Sequence, residues 1–297
     1  MPLTSNLNQQ DRNWLDIPSD VMVNILKRID MVDILDNAQK VCTVWRKICK
    51  SPTLWRVINM NDLLRLTSNL STAKVICKHA MDRSQGQLVD ITLIYDHDAE
   101  LFLYATDRSS QLRRLEMASC FHHGYFTTDA CIKFPLLEEL NLYLVELSKE
   151  EIETVGRYCP LLKILKVNKK VPRFRQSFPT DEGSNAMAIA IGQNLVELRH
   201  LELIANNMTS IGLQVILDNC LHLETLDLRA CFNIDLNGNL GKECRKQIKH
   251  LKHPNDSLEG CPYFNEIVSE PFTDDDFYDY EPIDHDPLVY DCDYFFD

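Results

Sequence analysis

Leu137-Glu138-Glu139-Leu140-Asn141-Leu142 decides the reading of this chain. Apolar residues at its first, fourth and sixth positions end in a period-two alternation, the signature of a short strand with one side turned to a core. The pattern recurs at Leu88-x-x-Ile91-x-Leu93, Leu112-x-x-Leu115-x-Met117, Leu162-x-x-Leu165-x-Val167, Leu198-x-x-Leu201-x-Leu203 and Leu223-x-x-Leu226-x-Leu228. First positions are separated by 24, 25, 25, 36 and 25 residues, so one unit carries an eleven-residue insertion. It falls in 171–183, which contains Pro172, Pro179 and Gly183.

A period of about 20 to 29 residues with this pattern is that of leucine-rich repeats, each supplying one strand and one helix. About six such units imply an α/β solenoid, because a single unit cannot bury its own apolar face. Cys120, Asn206 and Cys231 stand eight residues after their first leucines, where a small polar group can satisfy inward-facing backbone; Val145 and Lys170 depart from this. Cys159 and Cys220 close the helical segments 150–158 and 210–219 and read as small buried hydrophobes. With the leucines inward, the intervening residues face the concavity: Asp90 and Thr92, Arg114 and Glu116, Glu139 and Asn141, Ile164 and Lys166, His200 and Glu202, Thr225 and Asp227. The candidate target-binding row is Arg114, Glu116, Glu139, Asn141, Lys166, His200, Glu202, Asp227 and Arg229, with the insertion at its rim. Taken singly, each reads first as a solvated strand residue, and the assignment rests on the row as a whole.

The chain has 297 residues, 45% of them apolar, and no run near the roughly 18 apolar residues of a membrane span. Residues 254–297 hold 14 of its 44 acids and no Lys or Arg, so the remaining 30 acids meet 31 bases. A neutral body with an acidic end offers no footprint for phosphate backbones or anionic lipid, and no nucleic acid or membrane is expected as a partner. The polar start lacks the apolar run of a secretory signal, so an intracellular protein is expected, with its eleven cysteines as thiols.

Residues 13–59 lie outside the repeat and read as short helices. Ser19 or Asp20 can cap a helix with Val21, Ile25, Leu26 and Ile29 on one face; Asp30 or Asp33 can start a second running through Ile34, Leu35 and Ala38 to Val41. A third carries Val44, Trp45 and Ile48 before Ser51-Pro52. The run Trp14-Leu15-Asp16-Ile17-Pro18-Ser19-Asp20-Val21, then Ile25-Leu26, Asp33-Ile34-Leu35, Val41-Cys42, Trp45-Arg46 and Leu54-Trp55-Arg56, resembles an F-box, with Ile17-Pro18 where the family usually has Leu-Pro. Together with the repeats, the chain resembles plant F-box/leucine-rich-repeat proteins from about Trp14 to Ser257. The resemblance implies a non-catalytic substrate receptor of a cullin-based ubiquitin ligase, in the nucleus or cytoplasm or both. Its box would bind a Skp-family adaptor, and through it a cullin, while the repeats would hold an unidentified target protein. Carried over by position, the adaptor contacts are Ile17, Pro18, Val21, Ile25 and Leu26, with Val41, Cys42 and Trp45 either touching the adaptor or packing the box. Leu35 and Trp45 stand evenly between core and interface.

No cofactor is expected, since the sequence shows neither a Gly-rich phosphate loop nor a nucleophile elbow. Zinc is not expected either: there is no Cys-x-x-Cys, and Cys120, His122, His123 and Cys131, or Cys244, His250 and His253, lack the spacing of a structural site. Asn69, Asn207 and Asn255 start glycosylation triplets that an intracellular protein does not use. The expected organisation is a leader at 1–12, the box at 13–59, a linking helical segment at 60–84, repeats at 85–253 and an acidic aromatic tail at 254–297. That tail reads as disordered, as a solvating appendage, as a segment that folds on a partner, or as one that docks on Lys169, Lys170, Arg173 and Arg175. The competing function is a protein-interaction scaffold outside the ubiquitin system, with the box serving as a degenerate solenoid cap.

Overall fold

The computed structural model describes residues 14–29, 31–120, 124–171 and 183–268. Eight short parallel strands form one sheet in strict chain order: β1 (Val57–Asn59), β2 (Asp90–Ile94), β3 (Arg114–Ala118), β4 (Glu139–Tyr143), β5 (Ile164–Asn168), β6 (His200–Glu202), β7 (Thr225–Asp227) and β8 (His250–Lys252). The six expected strands are β2 to β7. Their register is in phase, with Leu115 opposite Leu140, Leu140 opposite Leu165, Leu165 opposite Leu201 and Leu201 opposite Leu226. A helix or turn follows each strand from β1 to β7 on the outer side, as parallel pairing requires a crossover.

The two added strands carry the same pattern in disguise. Trp55, Ile58 and Met60 occupy the first, fourth and sixth positions around β1, and all three are fully buried. Ile248 and Leu251 take the first and fourth positions around β8, with the usual spacing of 25 from Leu223. The first unit is long because it holds two helices, Met60–Thr67 and Leu70–Ser84. The segment expected as a linker at 60–84 is therefore the outer layer of the first repeat, and residues 57–59, placed with the box, belong to the sheet.

Box and repeats share one apolar core that runs from Met22 and Leu26 through Trp55 to Ile248. Trp55 is its joint: the indole Nε1–H donates to the Cys49 carbonyl at 2.8 Å, and Arg83 of the helix Leu70–Ser84 lies 5.1 Å over the ring. The second box helix differs from the expected single run. Residues 31–41 comprise Met31–Asp33, a π-turn at Ile34–Ala38 and Gln39–Val41, and the wider turn still buries Ile34, Leu35 and Ala38. Leu35 is core.

Outer helices approach one another where glycine removes a side chain. A Cβ on Gly192 would come 2.8 Å from the Val215 carbonyl oxygen, and one on Gly156 would come 2.6 Å from that of Asn194. Both obstacles are backbone, so an added methyl must push whole helices apart. Gly192→Ala should therefore destabilise the fold by about 1–3 kcal/mol despite alanine's better helix propensity. Urea denaturation of the variant against the unsubstituted chain measures this.

Candidate functional site

The box exposes apolar side chains that its own core does not use. The helix Ser19–Leu26 packs against Thr43–Cys49, directing Met22 and Leu26 inward. Val21 (44% exposed) and Ile25 (36%) face out from the first helix, with exposed Pro18 at its start. Val41, 60% exposed, and Val44 add to this surface. Leu26, expected at the interface, is only 2% exposed. Neighbouring helix positions are about 100° apart, so Ile25 can look outward while Leu26 turns to the core. Ile17 and Trp45 are half-buried against the core, and the Trp45 ring meets Trp14 edge-on at 6.1 Å. Cys42 acts locally, its Sγ accepting the Trp45 backbone N–H at 3.5 Å and capping the helix. Trp14, 57% exposed, and Val44 were not among the expected contacts.

The concave row divides into two columns. Asp90, Arg114, Glu139, Ile164, His200 and Thr225, the first intervening residues, are half-buried. Of the second, Thr92, Glu116, Asn141, Glu202 and Asp227 are buried and only Lys166 stays half-open; Arg229, just beyond β7, is buried too. The row is knitted together internally. Arg114 bridges Asp90 at 2.8 Å and Glu139 at 3.2 Å and also pairs with Glu116. Asn141 donates to Glu139 at 2.7 Å, and Asn168 donates to Glu202. Arg229 clamps Asp227 through Nε and Nη2 at 2.7–3.0 Å.

What covers the second column is the chain beyond β8. Arg229 Nη1 donates to the Ser257 carbonyl at 2.8 Å, and Cys261 packs with Ile204, Ala205 and Ala230. Further on, the Tyr263 hydroxyl donates to Glu116 at 2.9 Å, accepts from Asn61 at 3.0 Å, and its ring lies 5.0 Å from that of Tyr143. Residues 254–268, assigned to the tail by sequence, thus lie on the sheet, ending in the short helix Phe264–Val268. Their docking partners are Arg229, Glu116, Asn61 and Tyr143, with the apolar Ile204, Ala205 and Ala230. Of the basic ones expected, Arg173 and Arg175 lie outside the described residues, as do 269–297 and the leader 1–12.

The cysteines serve the repeat. Cys120 Sγ donates to the Ala118 carbonyl at 3.3 Å, and Cys231 Sγ to that of Leu203 at 2.7 Å. Burial pushes the thiols of Cys120 and Cys220 up to about 11 and that of Cys231 to about 12, so all three stay protonated at neutral pH. Asp96, eight residues after Leu88, fills the same turn position unnoticed by the leucine alignment, accepting the Leu101 and Phe102 N–H groups at 3.2 and 3.0 Å. Among the described residues, no cluster of three His, Cys, Asp or Glu could hold a metal; His122 and His123 lie outside them. No described helix is long and apolar enough to cross a membrane.

With this geometry, residues 14–61 match the F-box-like family model, and 87–182 match the model described as FBD-associated F-box protein At5g56370, LRR repeats. The F-box protein SKIP19 of Arabidopsis thaliana is 40% identical over 93% of this chain and 86% of its own length. The chain belongs to the F-box/leucine-rich-repeat family. The putative F-box/LRR-repeat protein 21 of the same plant is 40% identical over 86% of each chain, and putative protein 23 is 43% identical over 86% of this chain and 57% of its own. F-box proteins generally act as non-catalytic substrate adaptors of ubiquitin ligases.

Asp227 gives the concave network a pH signature. Burial raises its carboxyl, but hydrogen bonds from Arg229, with Lys252 at 3.1 Å, more than reverse this and leave it below the ordinary 3.8. A lowered folded value contributes stability that is complete above 3.8 and lost as pH falls through the folded value. Asp227→Asn should therefore lower stability at neutral pH and flatten the acid limb of the stability curve below about pH 4. Urea denaturation from pH 7 downward reads both effects.

Proposed function

We propose that this protein is the substrate-recognition subunit of a cullin-based ubiquitin ligase. Its box holds a Skp-family adaptor, which links it to the cullin, and its repeats hold the protein to be modified. The observation that carries this reading is the exposure of Pro18, Val21, Ile25, Val41 and Val44 on packed helices whose core is built from other side chains. Apolar side chains gathered on a small module favour a protein partner, since water gains by their burial. Helix-borne anchors at i and i+4, such as Val21 and Ile25, suit insertion into a partner's groove.

Target capture is assigned to the open side of the concave row, chiefly Arg114, Glu139, Lys166 and His200. Burial, and next Lys166, keep the His200 imidazole below its ordinary 6.5, so at neutral pH this side offers one neutral ring between charged neighbours. Glu116, Asn141, Glu202, Asp227 and Arg229 can take part only where the covering segment leaves them. The free thiols of the ten described cysteines suit a reducing compartment, and we place the protein in the nucleus, the cytoplasm or both.

Substitutions on the box separate interface from core. Val21→Asp combined with Val41→Asp should weaken capture of a Skp-family adaptor at least about 100-fold while the melting temperature barely moves, because buried anchors dominate such interfaces. Leu26→Ala should instead cost about 2–5 kcal/mol of stability, with the adaptor still bound by the folded fraction. Calorimetric titration and thermal melts of the three proteins measure the outcome. Adaptor affinity unchanged in the folded double variant would overturn the proposed surface.

A further inference from the structure

The segment 254–268 sits where a bound target would sit, and its contacts are those of a guest. It is not paired into the sheet as a further strand. Its hold on the middle of the concavity comes from Tyr263, whose hydroxyl bridges Glu116 and Asn61 and whose ring meets Tyr143, and from Ile267, fully buried one helical turn later. The Ile267 carbonyl accepts the Val171 N–H at 3.0 Å, while Phe264 between them stays exposed. Beneath it lie Glu116 and Asn61 beside a small apolar floor, with Cys261 packed on Ile204, Ala205 and Ala230. Asn141, fully buried beside Glu116, has an Oδ1 with no hydrogen-bond partner among the described residues. An unsatisfied buried acceptor is costly, and a ligand bringing one more N–H would relieve it.

We propose that 254–268 is a built-in stand-in for the target. The concave face takes a short segment that presents a tyrosine just before a helical turn and, four residues on, an aliphatic side chain, and the protein's own Tyr263 and Ile267 occupy that place until such a segment displaces them. This rests on the reading of the concave face as the target surface. It adds the chemistry of what is recognised, an aromatic hydroxyl between Glu116 and Asn61 stacked beside Tyr143. It also makes recognition conditional, because free target must compete with a tethered segment whose effective concentration is high.

The test uses the full chain and one labelled probe, a synthetic peptide of residues 254–268. Anisotropy titrations compare the unsubstituted protein with Tyr263→Ala/Ile267→Ala, whose own segment is weakened. The expected result is at least ten-fold tighter peptide binding by the double variant, and several-fold weaker binding of a peptide with Phe in place of Tyr263. Equal affinity for both proteins, or no binding to a folded double variant, would overturn the proposal. Tyr263→Phe in the full chain keeps the ring and loses only the hydroxyl, and it serves if the double variant does not fold. It should bind the peptide several-fold tighter than the unsubstituted protein, and no gain in that folded variant would also overturn the proposal. A target that binds without competing with the peptide would contradict the concave-face reading while leaving the exchange result standing, so the two failures are distinguishable.

Discussion

The in-phase register of the parallel sheet is the constraint on which the rest depends. Leu115, Leu140, Leu165, Leu201 and Leu226 stand opposite one another because each unit returns the chain to the same height. A slip of one residue in any strand would turn its leucines to the concavity and its polar residues into the core. The spacing of 25 is therefore enforced by burial, and the one spacing of 36 is tolerated because its surplus leaves the register between β5 and β6 intact. The same register lines up Glu116, Asn141, Lys166, Glu202, Asp227 and Lys252 as a single column.

That column explains why the concavity is both a candidate recognition surface and a place in need of cover. Acids and bases share it, and part of the cost of crowding them is met by internal pairing, as with Arg229 and Asp227. Covering the column by 254–268 removes water from the remaining polar groups and binds the first repeats to the last. Tyr263 reaches Asn61, which lies 202 residues away in sequence. The box is tied to the same body through Trp55, so its exposed apolar side chains are carried on the core that the repeats share.

Much of this was legible in the sequence, for physical reasons that also mark where legibility ends. The leucine pattern announces β2 to β7 because their burial demands the same residue type at each turn. It hides β1 and β8, where Trp55, Ile58 and Met60 or Ile248 and Leu251 meet the demand with other side chains or an incomplete set. The box motif locates the exposed helices, yet Leu26 and Ile25, adjacent and both apolar, differ in direction by a helical rotation that only packing against Thr43–Cys49 decides. Least legible was the fate of 254–268. The segment runs without a break into an acidic tail, although only three of the 14 acids of 254–297 fall in it, and nothing local in Tyr263 or Ile267 tells that Glu116, Tyr143 and Val171 wait for them across the fold.

On this account one rigid body carries two separate surfaces, an apolar one on the box for a Skp-family adaptor and a polar one within the repeats for a target. Hydrogen exchange of the full chain, alone and with a purified adaptor, tests it most directly, because protection reports which amides each partner covers. The expected result is new protection confined to residues 14–29 and 41–49, with exchange in β3 to β7 and in 254–268 unchanged. Protection appearing on the repeats instead, or no change anywhere at saturating adaptor, would contradict it.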